Sequence, residues 1–281
     1  MASRYSTVGI GLAAIVALAA CSGDKKEPDG DPEESLAQDG ADTSTAEIDA
    51  EIVTSTLISA TASGGSLTLA SAPELGGGAL GPADVGDGAK VFFFPKGCLD
   101  VAHDAAAQTV TYRFNDCAGP NGLFRVRGEI EARYSTAPGK LILNLDGNAL
   151  TLNNATLDWS ATAEITAAGA AREMRWKGQL SGSTARGHAL SRTNEKVVSW
   201  RFGEPCFAVS GVSQGEVRGR SLQTEITDFR RCRRGCPEAG GKIAITNAQS
   251  GAKVEITFDG TNRATYTSAR GSVQFPLLCR D

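Results

Sequence analysis

The chain has 281 residues, seven cysteines, two histidines and a formal net charge of −4 at pH 7. This total hides two parts of opposite sign. Residues 22–51 hold eleven acidic and two basic residues, a net charge of −9, whereas residues 52–281 hold 25 basic and 21 acidic residues, a net charge of +4. A net charge of +4 spread over residues 52–281 is too small to identify an anionic partner. Because the sequence has no HExxH motif, EF-hand loop or acidic cluster in its folded part, we predict no metal or cofactor.

The N-terminus is organised like a secretory signal. Arg4 precedes an apolar run over residues 8–19, whose length suits the ~7–15 residues of a signal core. That run is shorter than the ~20 residues that a transmembrane helix needs. Residues 18–21, Leu-Ala-Ala-Cys, resemble the lipobox of bacterial lipoproteins. The resemblance implies that residues 1–20 are a signal peptide, cleaved before Cys21, and an ordinary cleaved signal is the alternative.

The lipobox also implies where the protein lies. Lipid would be attached to the Cys21 thiol, with a further acyl chain on the new amino terminus, and two chains anchor a protein stably. Ser22 follows in place of the aspartate that retains lipoproteins in the inner membrane. We therefore expect a bacterial cell-envelope protein, lipid-anchored at the outer membrane, and this compartment argues against nucleic acid as a partner.

The next two segments are predicted to lack a core of their own. Residues 21–50 combine high net charge with few apolar residues, which is typical of a disordered acidic tether. Residues 51–90 are expected to hold the end of a short helix, from about Thr45 to Ala60, and a Gly/Ala/Pro-rich lead-in. The helix is predicted because apolar residues recur near one face, namely Ile48, Ile52, Val53 and Leu57.

Six cysteines remain besides Cys21, and an even number in an exported chain predicts three disulfides. Six cysteines allow fifteen connectivities. The pairs that are local in sequence are favoured, with loops that would each stabilise the fold by ~3 kcal/mol. These pairs are Cys98–Cys117, Cys206–Cys232 and Cys236–Cys279.

From residue 91 to residue 281 the sequence alternates between apolar and polar residues. Lys253 to Phe258 shows this most clearly, with Val254, Ile256 and Phe258 on one face. One dry and one wet face indicate antiparallel sheet. Hairpin turns are predicted at Asn-Gly and Asp-Gly pairs, which are 121–122, 146–147 and 259–260. The fold class is therefore all-β: an antiparallel sandwich or an elongated curled sheet of a dozen or more strands, with a short N-terminal helix.

Two cysteine-bearing stretches, at residues 97–135 and 229–246, resemble a pattern found in uncharacterised bacterial β-rich envelope lipoproteins. In the first, a cysteine strand, a hairpin and a second cysteine lead into a Gly-Pro turn and a long strand. The second, followed by residues 254–268 and a last Cys279, is similar to the ending of those proteins. The resemblance covers residues 91–281. It implies the β fold and the six-cysteine framework, and it implies no activity.

Few residues suggest chemistry. Ser213 lies in a GxSxG sequence, but the residues after it predict a strand rather than the helix of a nucleophile elbow. Gly76, Gly78 and Gly81 fit GxGxxG without a strand or helix to frame them. His103 and His188 have no predicted catalytic partner. We therefore predict a protein that is not an enzyme.

Two sets of side chains could form surfaces. Arginines around Cys232 are a candidate anion-binding patch for an envelope glycan, with a solvated loop as the alternative. These arginines are Arg230, Arg231, Arg233 and Arg234, with Arg218 and Arg220 nearby. The three tryptophans fall on inward faces of predicted strands, so core packing is favoured over stacking on carbohydrate. They are Trp159, Trp176 and Trp200.

Two functions remain open. The favoured one is a lipid-anchored envelope protein with a non-enzymatic structural or binding β domain, whose glycan or protein partner is unknown. The alternative is a carrier of an acyl chain or other apolar ligand in a curled sheet. Small inward residues would leave room for such a ligand, namely Gly128, Ala132, Ala161 and Ala163.

Overall fold

The computed structural model describes residues 32–63, 87–201, 204, 206–232 and 236–279. They form one long helix, two short 3-10 turns (Lys90–Phe92 and Pro120–Gly122) and thirteen strands. The elements are α1 (Pro32–Ser63), β1 (Leu99–Asp104), β2 (Thr109–Ala118), β3 (Arg125–Ala137), β4 (Lys140–Leu152), β5 (Ala155–Ala168), β6 (Ala171–Ser183), β7 (Ala189–Arg201), β8 (Phe207–Val217), β9 (Arg220–Arg231), β10 (Lys242–Asn247), β11 (Lys253–Phe258), β12 (Arg263–Ser268) and β13 (Gly271–Pro276).

The strands form a single antiparallel meander. Each strand pairs with its neighbours in sequence, so the order in the sheet runs from β1 to β13. The sheet is not closed, because β1 and β13 each pair with one strand only among the described residues. It curls around α1, which contacts β4 and each strand from β6 to β13. The predicted all-β class is confirmed, in its curled-sheet form.

Alternation along the strands sets which side chains face inward. In β7, every second residue from Leu190 to Trp200 is buried and the residues between are exposed. The predicted core role of the three tryptophans is confirmed, since all are buried. The rings of Trp159 and Trp176 pack edge to face with centroids 6.5 Å apart, a favourable geometry for aromatic pairs.

One of the three predicted turns is wrong. Asp146 and Gly147 lie inside β4 and pair with Ser160 and Trp159 of β5. A Cβ atom on Gly147 would come within 2.5 Å of the Leu150 side chain and 2.9 Å of the Trp159 ring. The glycine therefore leaves space in the strand for the Leu150 side chain and the Trp159 ring. A turn does occur at Gly260, which has a φ of +88° between β11 and β12.

Three disulfides link segments that flank strands of the sheet. Their pairing is the one favoured from the sequence: Cys98–Cys117, Cys206–Cys232 and Cys236–Cys279. The first joins the beginning of β1 to β2, and the second joins the chain before β8 to the chain after β9. The third joins the chain before β10 to the segment after β13, so it closes off the last four strands.

The helix departs most from expectation. It begins at Pro32 rather than near Thr45, so residues 32–50 are not a solvated tether but part of the fold. Nearly every residue from Leu36 to Ile58 is buried, the acidic ones included. The composition of this segment indicates disorder because its acidic residues have no oppositely charged partners nearby in sequence. Their partners lie in distant strands. Residues 21–31 and 64–86 of the predicted tether and lead-in lie outside the described residues.

No helix in the described part of the chain is both long and apolar enough to cross a membrane.

Candidate functional site

The surface of α1 is polar on several sides, yet the helix is enclosed. A helix of this composition would ordinarily face solvent. Here acidic side chains are buried against the sheet, where each requires a partner to offset the loss of hydration. The buried acids of α1 are Asp39, Asp42, Glu47, Asp49 and Glu51. We call the buried ion pairs that they form with inward-facing basic residues the inner charge cluster.

The centre of the inner charge cluster joins α1 to β7. Glu47 and Glu51 lie one helical turn apart and face the same strand. The Glu47 carboxylate accepts hydrogen bonds from Arg192 Nε at 3.1 Å and from Lys196 Nζ at 2.7 Å. Lys196 Nζ also lies 3.0 Å from Glu51 Oε1. All four side chains are fully buried, so water does not screen these pairs.

Glycines on β8 allow the backbone of β7, which carries the two long basic side chains, to approach closely. Gly211 pairs with Lys196 and Gly215 pairs with Arg192 in the β7–β8 register. Both glycines have positive φ angles, of +147° and +144°. A Cβ atom on Gly211 would lie 2.6 Å from Lys196 Cα, and one on Gly215 would lie 2.8 Å from Arg192 Cα. A larger residue at either position would therefore clash with the strand that carries the cluster.

Arg192 is held by neutral groups as well as by Glu47. It donates to the Leu222 carbonyl at 2.9 Å, to Ser213 Oγ at 2.6 Å and to Thr224 Oγ1 at 2.8 Å. Ser213 lies in the middle of β8, which continues into a hairpin with β9. The serine hydroxyl thus orients a buried guanidinium, and the GxSxG sequence does not form a nucleophile elbow here.

A second part of the cluster lies toward β9. Arg231 Nη1 donates to Asp49 Oδ1, and its Nη2 donates to the Leu123 carbonyl at 2.7 Å. Asn153 Nδ2 donates to the other Asp49 oxygen at 2.5 Å. Of the arginines in the candidate anion-binding patch, Arg231 faces inward, whereas Arg230, one position earlier in β9, faces outward.

The rest of the predicted patch divides in the same way. Arg220 Nη1 lies 3.3 Å from Asp39 Oδ2, and Arg220 Nη2 donates to Ser35 Oγ at 2.7 Å, so Arg220 also contacts α1. Arg233 and Arg234 lie outside the described residues. Arg230 and Arg231 are adjacent in sequence but do not share a surface, because neighbouring residues of a strand point to opposite faces.

Near the beginning of α1 the pairs are partly exposed. Arg186 Nε donates to Asp42 Oδ2 at 2.6 Å, and His188 Nε2 lies 4.0 Å from Asp39 Oδ1. This assigns His188 to the contact between α1 and the β6–β7 loop. His103 is exposed on the edge strand β1.

The pKa values of the two central glutamates are shifted in opposite directions. For Glu47, burial raises the pKa, but Lys196 and Arg192 together outweigh it and hold the pKa below its ordinary value. For Glu51, burial dominates over Lys196 and raises the pKa to about 7. Burial likewise raises the pKa of Asp49 above its usual range, against the opposing effect of Arg231. The cluster therefore contains one securely ionised glutamate and one poorly compensated glutamate.

Some buried polar atoms of the cluster lack a hydrogen bond. Both Glu51 carboxylate oxygens lack one, although Lys196 Nζ approaches Glu51 Oε1 as an ion-pair partner. Asn194 Oδ1 accepts from Trp176 Nε1 at 3.0 Å, but its Nδ2 is unpaired, as is Arg231 Nε. Unpaired buried groups of this kind destabilise the docked state of the helix.

The outer face of the sheet carries a different kind of depression. Two adjoining depressions of about 840 and 820 Å³ cross strands β4 to β10; apolar and polar surface are about equal in the first, and polar surface predominates in the second. Their shared residues form one row in register across neighbouring strands: Asp146, Ser160, Gln179, Thr193, Gln214 and Gln223. A polar groove of this composition does not suit an acyl chain, which requires an apolar lining.

Within the described ranges, no three His, Cys, Asp or Glu side chains are placed to hold a metal ion. Cys21 and the glycines at 76, 78 and 81 lie outside those ranges.

Comparisons with known proteins add no family. No protein-family model, curated protein or solved structure matches the chain.

The inner charge cluster was not predicted from the sequence, although one signal was present. Arg192, Asn194 and Lys196 fall on the same face of β7 as Leu190, Val198 and Trp200, which is the pattern of basic residues that face a core.

Proposed function

We propose that this protein is a lipid-anchored component of the bacterial cell envelope, with a non-enzymatic binding or structural β domain. The observation that supports it best is the set of three disulfides, since such bonds persist in oxidising compartments outside the cytoplasm. The lipobox at residues 18–21 supplies the export route and the anchor. Neither observation depends on an assigned partner.

The position of α1 adds a constraint to this proposal. Ten residues, 22–31, separate Cys21 from the beginning of α1. Even fully extended, ten residues reach at most about 36 Å. The β domain would therefore be held beside the membrane surface, rather than at the end of the longer tether predicted from composition.

The anchor is tested by replacing its cysteine. We expect Cys21→Ala to move the protein from the membrane fraction to the soluble or unprocessed fraction. Ser22→Ala is the matched control, since it leaves the cysteine in place and should remain with membranes as a lipid-modified species by mass spectrometry. A mature-sized Cys21→Ala protein that still sediments with membranes would refute lipid anchoring. Pull-down of the anchored protein from envelope extracts would then search for the partner.

A carrier of an acyl chain is the second candidate, and one observation favours it. The inner face of the sheet combines an apolar region on β4–β6 with three buried cations on β7 and β9. The small residues expected to leave a cavity, Ala132, Ala161 and Ala163, do face inward. However, α1 occupies the interior, so an acyl chain could enter only in its place.

A further inference from the structure

We propose that the inner face of β7–β9, with the apolar strands beside it, is a binding site for an anionic amphiphile, and that α1 occupies this site reversibly. The proposal rests on the carrier candidate and goes beyond it by naming the ligand chemistry and the competitor. Its support comes from three features: the residues of the site, the weak intrinsic helicity of α1 and the poor compensation of its buried charges.

The site joins positive charge to apolar surface. Arg192, Lys196 and Arg231 all point into the interior, and α1 supplies the carboxylates that they bind. On the adjacent strand β6, Trp176 pairs with Lys196 and Leu180 pairs with Arg192. An amphiphile with one anionic head group and an apolar chain fits this arrangement. Its head would replace a carboxylate of α1, and its chain would lie on β4–β6.

Alone, α1 is not expected to be a stable helix. It holds two runs of β-branched or hydroxyl residues, 43–45 and 54–56, which disfavour helix relative to alanine. Hydroxyls of Thr43, Thr54 and Ser55 bond to carbonyls four residues earlier, a contact that weakens isolated helices. Glu47 and Glu51 add a like-charge pair at i and i+4. The segment is thus helical because it is docked.

Burial of apolar residues such as Ile48 and Ile52 favours docking of α1, but its charged contacts are only partly favourable. Buried ion pairs contribute little net stability, because the loss of hydration offsets most of their attraction. Neither Glu51 oxygen makes a hydrogen bond, and Asn194 Nδ2 is unpaired beside the cluster. Moreover, α1 has no strand ladder to hold it, whereas every described strand is bonded to at least one neighbour. The helix can therefore leave while the sheet stays intact.

Hydrogen exchange of the unlipidated Cys21→Ala protein tests reversible docking. We expect amides of residues 36–58 to exchange through an opening that leaves β5 and β6 protected. Adding decanoate below its micelle concentration should increase exchange in α1 only, and decyl maltoside, which is neutral and has the same chain length, should not. Joint exchange of α1 and the strands, or an equal effect of both amphiphiles, would overturn the proposal.

Two isosteric variants test the competition in opposite directions. Glu47→Gln removes a well-bonded carboxylate, weakens docking and should lower the apparent Kd for decanoate by about tenfold in calorimetric titration. Glu51→Gln removes a poorly compensated charge, strengthens docking and should raise the apparent Kd severalfold. Glu195→Gln, on the outer face of β7, is the control and should leave the Kd unchanged.

Either of two results contradicts the competition. One is that both variants shift the Kd in the same direction, and the other is that decanoate fails to bind the wild-type protein. Because the assay uses unlipidated protein, such a failure would leave the proposed anchor and the envelope location intact. If Glu47→Gln fails to fold, Glu51→Gln still decides the question, since its expected effect is to stabilise the docked helix.

Discussion

The inner face of the sheet has two regions that stabilise the fold in different ways. On β5, the inward residues from Leu157 to Ile165 are apolar or small, and they stabilise the fold by removing surface from water. On β7, the inward residues include Arg192, Asn194 and Lys196, each of which needs a partner at one particular place. The apolar region therefore provides non-directional burial, whereas the charged region fixes the rotation and register of the helix.

The largest effect on stability is expected when Lys196, the partner that Glu47 and Glu51 share, is removed. Lys196→Met leaves Glu47 with one partner and Glu51 with none, so we expect a loss of about 3–5 kcal/mol in the free energy of unfolding. Urea denaturation measures it. Lys177→Met is the control on β6, because its exposed pair with Glu195 should contribute less than about 1 kcal/mol. Equal losses in the two variants would contradict the role given to the cluster.

In the apolar region the expected loss is somewhat smaller. Leu145 is buried on β4 beside Ala161, and Leu145→Ala should cost about 2–4 kcal/mol through lost burial and the cavity left behind. The loss is measured as the difference in urea midpoint between the variant and the wild type, at pH 5 and at pH 8, to distinguish the apolar region from the charged one. The loss should be the same at both values, since no titrating group is removed. A loss that depends on pH would show that the regions are coupled.

The two central glutamates should respond oppositely at pH 8. Glu47→Gln should lower the free energy of unfolding by about 2 kcal/mol, because it removes two charge-assisted hydrogen bonds. Glu51→Gln should raise it by about 1 kcal/mol, because a poorly paired buried charge is removed. Thermal unfolding of both variants beside the wild type measures the difference. Destabilisation by both would show that Lys196 compensates the two carboxylates equally.

The dependence on pH follows from the direction of the shift. The pKa of Glu51 rises from 4.5 to about 7 on folding, so the folded state binds its proton more tightly. That stabilisation is complete below about pH 4.5 and is lost as pH rises through 7. Burial also raises the pKa values of Asp39, Asp42 and Asp49, while that of Glu47 is lowered. Glu51→Gln should therefore reduce, without abolishing, the decline between pH 5 and pH 8.

The smallest effect is expected at Ser213. Its hydroxyl accepts one hydrogen bond from Arg192, which retains Thr224, Leu222 and Glu47 as partners. Ser213→Ala should cost about 1 kcal/mol of stability. A loss above about 3 kcal/mol would mean that the remaining partners do not hold Arg192, and chemical denaturation resolves the two cases.

The strands could be predicted from the sequence because their signal is local. A period of two in Lys253 to Phe258 needs only the residues themselves, and β11 has those bounds. Local cysteine pairing also succeeded, since neighbouring strands of a meander lie close together. The Asp146–Gly147 turn failed because packing against Trp159 decides that glycine, and Trp159 lies on another strand.

The candidate site could not be predicted because its signal is spread along the chain. Glu47 and Lys196 are separated by 149 residues, and each alone is ordinary for an exposed position. Residues 32–50 were interpreted as a tether because charge without visible partners indicates disorder. Arg231 shows the same difficulty, since its inward direction becomes clear only once the bounds of β9 are known.

The position of α1 has a mechanical consequence. The helix comes before the strands in the chain and is held by side-chain contacts, whereas each strand is held by a ladder of backbone hydrogen bonds. A pulling force applied at the N-terminus therefore loads α1 first and reaches β1 only after the helix has been extracted. The curled sheet would then remain folded at a tension that has already removed α1 from its inner face.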